Sequence, residues 1–163
     1  MHTRIRSTGM NKGRRRAQGF TLIELIVAMV VASILVAIAI PAYSSFVRKG
    51  RRTDAKTALL DLASLEERYF STTNTYSANA SDLGYGAAAW PVTVGSGYYQ
   101  IAQPTVVAAV APTAASPAGT PASFSLTATA IGDQANDTDC ATFTVTSAGV
   151  QSASPNASGN CWK

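Results

Sequence analysis

Between Arg16 and Arg48 the chain carries a single charged side chain, Glu24, and from Leu25 to Val47 it carries none. About 20 predominantly apolar residues in helix are enough to cross a bilayer, so this stretch reads as a membrane span. The basic run Arg14-Arg15-Arg16 stands just before it, followed by Ala17-Gln18-Gly19. Glu24 is the anomaly, because a carboxylate within a span costs about 2.5–3.5 kcal/mol by insertion scales and is read by default as functional and in need of a partner. Such a charge is tolerable when paired and strongly destabilising when the partner is missing.

Two plain readings of this junction compete. A secretory signal has a basic start, a short apolar core and a small-residue cut site, and Ala37-Ile38-Ala39 has that form. The apolar run is too long for one, however, and it contains Glu24. An uncleaved anchor would keep Glu24 protonated in lipid, as burial does to carboxylates. The string Gly19-Phe20-Thr21-Leu22-Ile23-Glu24-Leu25, placed directly after the basic cluster, instead resembles the prepilin peptidase motif of type IV pilins and pseudopilins. The resemblance implies cleavage after Gly19, methylation of the new amino terminus at Phe20, storage in the inner membrane and later assembly into a filament. It also implies a partner for Glu24: the Phe20 amine of a neighbouring subunit. Met10 begins a shorter leader of the kind more usual in that family, as an alternative start to Met1.

Loss of a leader at 1–19 changes the charge argument. Six of the thirteen basic residues lie in it (Arg4, Arg6, Lys12, Arg14, Arg15, Arg16) and none of the nine acids, so the remainder has seven basic against nine acidic residues, net −2. Binding to nucleic acid draws on a basic footprint, and a nucleic-acid partner is therefore not expected. The local exception is Arg48, Lys49, Arg51 and Arg52, read as a cluster facing solvent or lipid headgroups, with a filament or nucleic-acid contact as the alternative. Basic residues flank the span on both sides with an excess on the N-terminal side, which favours a cytoplasmic N-terminus. Only Cys140 and Cys161 occur; an even count in an exported domain suggests one disulfide, whereas a cytosolic domain would keep two thiols.

Beyond the cluster, Ala55, Ala58, Leu59, Leu62, Leu65 and Tyr69 recur at helical spacing. One helix from Phe20 to near Phe70 would be about 75 Å long at 1.5 Å per residue. Its first part, 20–47, suits lipid or a helix bundle, and its second, 48–71, is amphipathic. Pro41 removes a backbone donor and is expected to kink it; in the family that the motif resembles, a proline near this point marks a segment that unwinds in some assembled filaments. Asn74, Asn79, Ser81, Asp82 and Gly84 mark a connecting loop. Strands are predicted over Tyr98–Gln103, Ser123–Ala130 and Ala141–Thr146, with a short one at Val150 after Gly149. They should form an antiparallel sheet within 98–163, one face packed on the helix. Pro104 to Pro121 reads as an irregular, protruding loop, with Val106–Val110 as an alternative strand.

Two further segments resemble PilE-type minor pilins: Glu66-Glu67-Arg68-Tyr69-Phe70 with the loop through Tyr76 and Tyr85, and the tail from Cys140 to Asn160-Cys161-Trp162. In that branch a Cys140–Cys161 bond would pin the last strand and the tail. The expected fold is thus α+β and type IV pilin-like: leader 1–19, assembly helix 20–47 and head 48–163. The expected function is a structural minor-pilin subunit of a type IV pilus supporting biogenesis, twitching motility and adhesion. A major pilin, a type II secretion pseudopilin, or a membrane-displayed adhesin or DNA-binding module are the alternatives. Its partners would be other pilin subunits, the prepilin peptidase and the inner-membrane assembly machinery. Catalysis is not expected, because the only histidine is His2, within the leader, and no acid pair forms a recognisable motif. No cofactor or metal is expected; Asp133, Asn136, Asp137 and Asp139 lack the order and closing Glu of a calcium loop and read as a solvated turn, with a cation site as the alternative. Asn79, Asn136 and Asn156 satisfy the N-glycosylation pattern, matches that chance explains in a bacterial protein.

Overall fold

The computed structural model describes residues 19–85, 89–114, 116–156 and 159–163. The chain divides into two compact units, Met1–Pro41 and Ala42–Lys163. A single α-helix, α1 (Leu22–Thr73, 52 residues), contributes to both. Its start has a local cause: Thr21 Oγ1 accepts a hydrogen bond from the Glu24 amide at 3.2 Å, satisfying one of the orphan donors of a first helical turn. The Thr21-x-x-Glu24 spacing is that of a capping box, so Glu24 also occupies a position that suits an acid at a helix N-terminus.

Every described residue of the first unit is exposed. The most apolar 18-residue window of α1 has a mean hydropathy of 2.9, and none of it is buried. Ser33 turns its hydroxyl inward to the Met29 carbonyl at 2.7 Å, which removes a polar group from the helix surface.

In the second unit α1 buries Arg52, Ala55, Leu59, Leu62 and Glu66, a stripe of three- and four-residue steps. Against it lies an antiparallel sheet of order β1-β2-β4-β5-β6, with β3 also paired to β4. The strands are β1 (Val92–Val94), β2 (Tyr99–Ile101), β3 (Thr105–Val107), β4 (Ser123–Ala130), β5 (Thr142–Thr146) and β6 (Gln151–Ser154). Period-two alternation puts Phe124, Leu126, Ala128 and Ala130 of β4 inward, along with Phe143 and Val145 of β5 and Tyr99 and Ile101 of β2. These close a core with Ala55, Leu59, Leu62, Leu83 and the two cysteines. The expected strands at 98–103, 123–130 and 141–146 are thus present, β4 with the predicted limits.

Three details correct the sequence reading. Pro104 to Pro121 is not wholly irregular: β3 pairs Thr105–Val107 with Ser123–Ser125, and Val110 bridges to Thr120. Proline at 104 precedes the strand and those at 112, 117 and 121 stand outside it, so no ladder donor is lost. Strand β1 was not foreseen, because Val92-Thr93-Val94 is too short to show a period. The last strand is Gln151–Ser154, one residue beyond Val150, since Gly149 takes a positive φ of 73° at the turn.

Candidate functional site

Two constellations carry the chemistry, one in each unit. In the first, Gly19 and Phe20 precede the helix and Phe20 is 85% exposed. Glu24 follows one turn later on an uninterrupted apolar surface, with Leu22, Ile23, Leu25, Ile26 and Val27 all exposed around it. Pro41 lies inside α1 without ending it. The remainder of the expected leader, residues 1–18, lies outside the described residues. A surface of this kind is stable in lipid or against other helices and unfavourable in water.

The second constellation joins α1 to the loop that carries the disulfide. Arg52 is 8% exposed and grips Asp137, itself 3% exposed, with two parallel bonds: Nε to Oδ2 and Nη2 to Oδ1, each 2.7 Å. Nη2 also reaches Asp139 Oδ2 at 3.4 Å. Asp137 Oδ1 accepts from the amides of Asp139 and Cys140, both at 3.3 Å. Gln134, fully buried, donates through Nε2 to Asp137 Oδ2 (3.0 Å), the Tyr99 hydroxyl oxygen (3.1 Å) and the Arg48 carbonyl (3.2 Å). Burial pushes the Asp137 carboxyl up, but the Arg52 guanidinium and the two amides outweigh it and hold the group below the usual carboxylate range. The same bonds raise Arg52 against the opposing effect of burial. Burial lifts the Tyr99 phenol above its ordinary value.

Cys140 and Cys161 form the disulfide, with Cα atoms 5.7 Å apart and both residues in the core. Trp162 packs edge-on against Phe143 at 5.6 Å and donates to the Ser152 carbonyl at 2.7 Å, tying the tail to β6. At the far end of the amphipathic segment, Glu66 is fully buried. Its Oε2 accepts the Ser77 amide at 3.0 Å, while Oε1 has no hydrogen-bond partner among the described residues. Burial, the largest influence, raises its pKa; the Ser77 amide opposes and Glu67 adds to the rise. The loop residue Tyr76 stacks on Phe70 and meets Phe124 edge-on.

Two readings of charge therefore change. The cluster Arg48, Lys49, Arg51 and Arg52 does not simply face solvent or headgroups. Arg52 is buried, Arg51 lies 3.4 Å above the centre of the Tyr98 ring, and Arg48 donates to the Asn136 carbonyl at 3.0 Å. Likewise the loop 133–139 is not merely a solvated turn, because Asp137 is the buried counter-ion of Arg52. The missed signal was in the periodicity: continuing the stripe Ala55, Leu59, Leu62 by one step at each end reaches Arg52 and Glu66. A charge at a core-facing position calls for a partner.

Residues 41–144, more than half of the chain, match the family described as "Type IV minor pilin ComP, DNA uptake sequence receptor". Residues 14–40 match the "Prokaryotic N-terminal methylation motif". The chain is 39% identical over 70 residues to the type IV major pilin protein PilA of Myxococcus xanthus, covering 43% of this chain and 32% of that one. It is 33% identical over 69 residues to the type IV wide pilus major component PilA4 of Thermus thermophilus, covering 42% and 53%. The chain thus spans about a third of the one relative and about half of the other. Among solved structures, a type IV pilin from Shewanella oneidensis is similar with a TM-score of 0.43 and 26% identity, over 71% of this chain and 98% of that one.

Proposed function

The chain belongs to the type IV pilin family, and from that premise we propose that it is a structural, non-enzymatic minor pilin. It is stored in the inner membrane through α1, cut after Gly19 by a prepilin peptidase, methylated at Phe20, and drawn by the assembly machinery into a filament with other pilin subunits. The observation that carries this reading is the exposed apolar stretch of α1 bearing one carboxylate, Glu24. Lipid covers that surface in the stored state and neighbouring helices cover it in the filament. In the filament Glu24 sets register by pairing with the Phe20 amine of a neighbour, since an unpaired charge there would be strongly disfavoured. Pro41, which brings no backbone donor to the helix, supplies a weak point at which it can open on assembly. The filament would serve biogenesis, twitching motility and adhesion.

The test is intact mass and N-terminal sequencing of membrane-extracted protein from cells with and without the peptidase. A methylated Phe20 terminus only with the peptidase is expected; a start at Ile40, or an uncut chain, refutes the mechanism.

A second reading, capture of DNA, is supported by the description of the matched family as a DNA uptake sequence receptor. The chain's own charges weigh against a broad footprint, because after Arg68 the only basic residue is Lys163. Binding of duplex DNA whose affinity falls steeply with salt would support it; absence of binding at low salt would remove it.

A further inference from the structure

Three of the four lysines in the sequence, Lys49, Lys56 and Lys163, line one cleft of about 270 Å³ beside the disulfide, together with Arg52, Asp139 and Asn160. Lys49, Arg52 and Lys56 follow at steps of three and four and so share one face of α1. Lys163 closes the cleft from the tail, which the Cys140–Cys161 bond and Trp162 hold in place. The ion pairs among the described residues all belong to Arg52, which already meets Asp137 and Asp139. No described acid pairs with the three lysines. Asp139 lines the same cleft and is drawn to Arg52, so three lysines and Arg52 against Asp137 and Asp139 leave the cleft net positive, which suits an anion, and its volume exceeds the ~30 Å³ share of one water several-fold.

Position in the chain selects the anion. Lys49 follows Val47, the last residue of the uncharged stretch, by two positions, a reach of at most about 7 Å even in extended chain. The headgroup zone on each side of a ~30 Å hydrocarbon core is about 5–7 Å deep. When the stretch spans a bilayer, Lys49 must therefore lie in or just beyond that zone. Lys56 is two helical turns further on, about 10 Å, so its backbone lies outside the zone, and its long side chain, tilted toward the helix N-terminus, reaches back toward the headgroups. Tyr43 and Phe46, 71% and 75% exposed, stand at the same boundary, as aromatic residues do at membrane interfaces. Arg48 and Arg51 are occupied by Asn136 and Tyr98, which leaves the lysines to meet headgroups.

We propose that Lys49, Lys56 and Lys163 form a phosphate-binding cleft for the headgroup of an anionic phospholipid while the subunit waits in the membrane. The cleft rests on the membrane-storage reading above. Its occupant is lost when the helix leaves the lipid, so the site distinguishes stored from assembled subunit.

The experiment places the full chain in vesicles of phosphatidylglycerol or of phosphatidylcholine and follows acetylation of each lysine by mass spectrometry. Flotation reports insertion separately. Parallel arms use the protein in detergent with inorganic phosphate, or with a short DNA duplex. Lys49, Lys56 and Lys163 should react about fivefold more slowly in phosphatidylglycerol, the factor that corresponds to the ~1 kcal/mol of one juxtamembrane lysine. Lys163→Gln should weaken the protection of Lys49 and Lys56, whereas Arg68→Gln, outside the cleft, should leave it unchanged. Equal reactivity in both vesicles, with equal flotation, overturns the cleft alone. Failure to float overturns membrane storage and the cleft with it. Equal protection by inorganic phosphate overturns the lipid as the source, and protection by DNA alone hands the site to nucleic acid.

Discussion

Replacing Arg52 by Ala should cost the head far more than removal of a surface charge. The substitution leaves Asp137 as a carboxylate that is 3% exposed, with the amides of Asp139 and Cys140 and the Gln134 side chain as its remaining donors. Removing one partner of a buried pair costs about 3–5 kcal/mol, and the surviving donors place this case near the lower end, about 3 kcal/mol. Solvent screening does not reduce it much, since the two side chains are 10% and 4% exposed. For a head of this size that corresponds to a fall in Tm of about 10–15 °C. The double variant Arg52→Met with Asp137→Leu removes both charges and should recover part of the loss, because apolar replacements of buried pairs are often neutral or better, while the Asp139 and Cys140 amides lose their acceptor. Sign follows from linkage. The Asp137 pKa is lowered in the folded state, so its contribution is complete above the ordinary carboxylate range and disappears as pH falls through the folded value. Thermal unfolding of the full chain in detergent by near-UV circular dichroism, from neutral to strongly acidic pH, reads all three quantities. A loss below about 1 kcal/mol for Arg52→Ala, the range of an exposed pair, would refute the claim that this ion pair locks the helix to the disulfide loop.

Cys161→Ser should cost about 3 kcal/mol by the chain-entropy model for a 21-residue separation, and limited proteolysis should then cut the tail after β5. Glu24→Ala should leave membrane insertion intact and prevent incorporation into filaments; normal incorporation in a purified-filament assay would remove the proposed role. Gly95→Ala meets two obstacles at once, a φ of +58° and a Cβ only 2.5 Å from Asp54 Cβ. It should lower the unfolding free energy, read by denaturant titration, by about 1 kcal/mol or more and release the Ser96 amide from Asp54. Glu66 has the opposite sign from Asp137: its pKa is raised, so its ionised form is a burden at neutral pH and stability gains as pH falls through the folded value toward the ordinary range. Glu66→Gln should abolish that gain while keeping the Ser77 contact, as a pH series of unfolding midpoints would read.

What the sequence disclosed and what it hid follow from the range of the forces involved. The long helix was legible because its signals are local: an uncharged run for the first part and the steps among Ala55, Leu59 and Leu62 for the second. Strands β4 and β5 were legible for the same reason, as each alternates over enough residues to fix which face is buried. Strands β1 and β3, three residues each, owe their existence to neighbours, β1 to β2 and β3 to β4. The Arg52–Asp137 pair was hidden because the partners stand 85 positions apart, and a basic cluster beside a span has a ready local explanation in headgroups. That explanation holds only for the cations the head leaves unused. Arg48, Arg51 and Arg52 are drawn into the head by Asn136, Tyr98 and Asp137, and Lys49 is left outward with Lys56 and Lys163. Arginine suits the first role because its planar fork stacks and binds in pairs, and lysine suits the second because its ammonium is a mobile, hydrated point charge. Exchanging the two within the cluster therefore tests the division directly. Arg52→Lys should lose the bidentate geometry and much of the lock, while Lys49→Arg should be silent for stability measured by thermal unfolding.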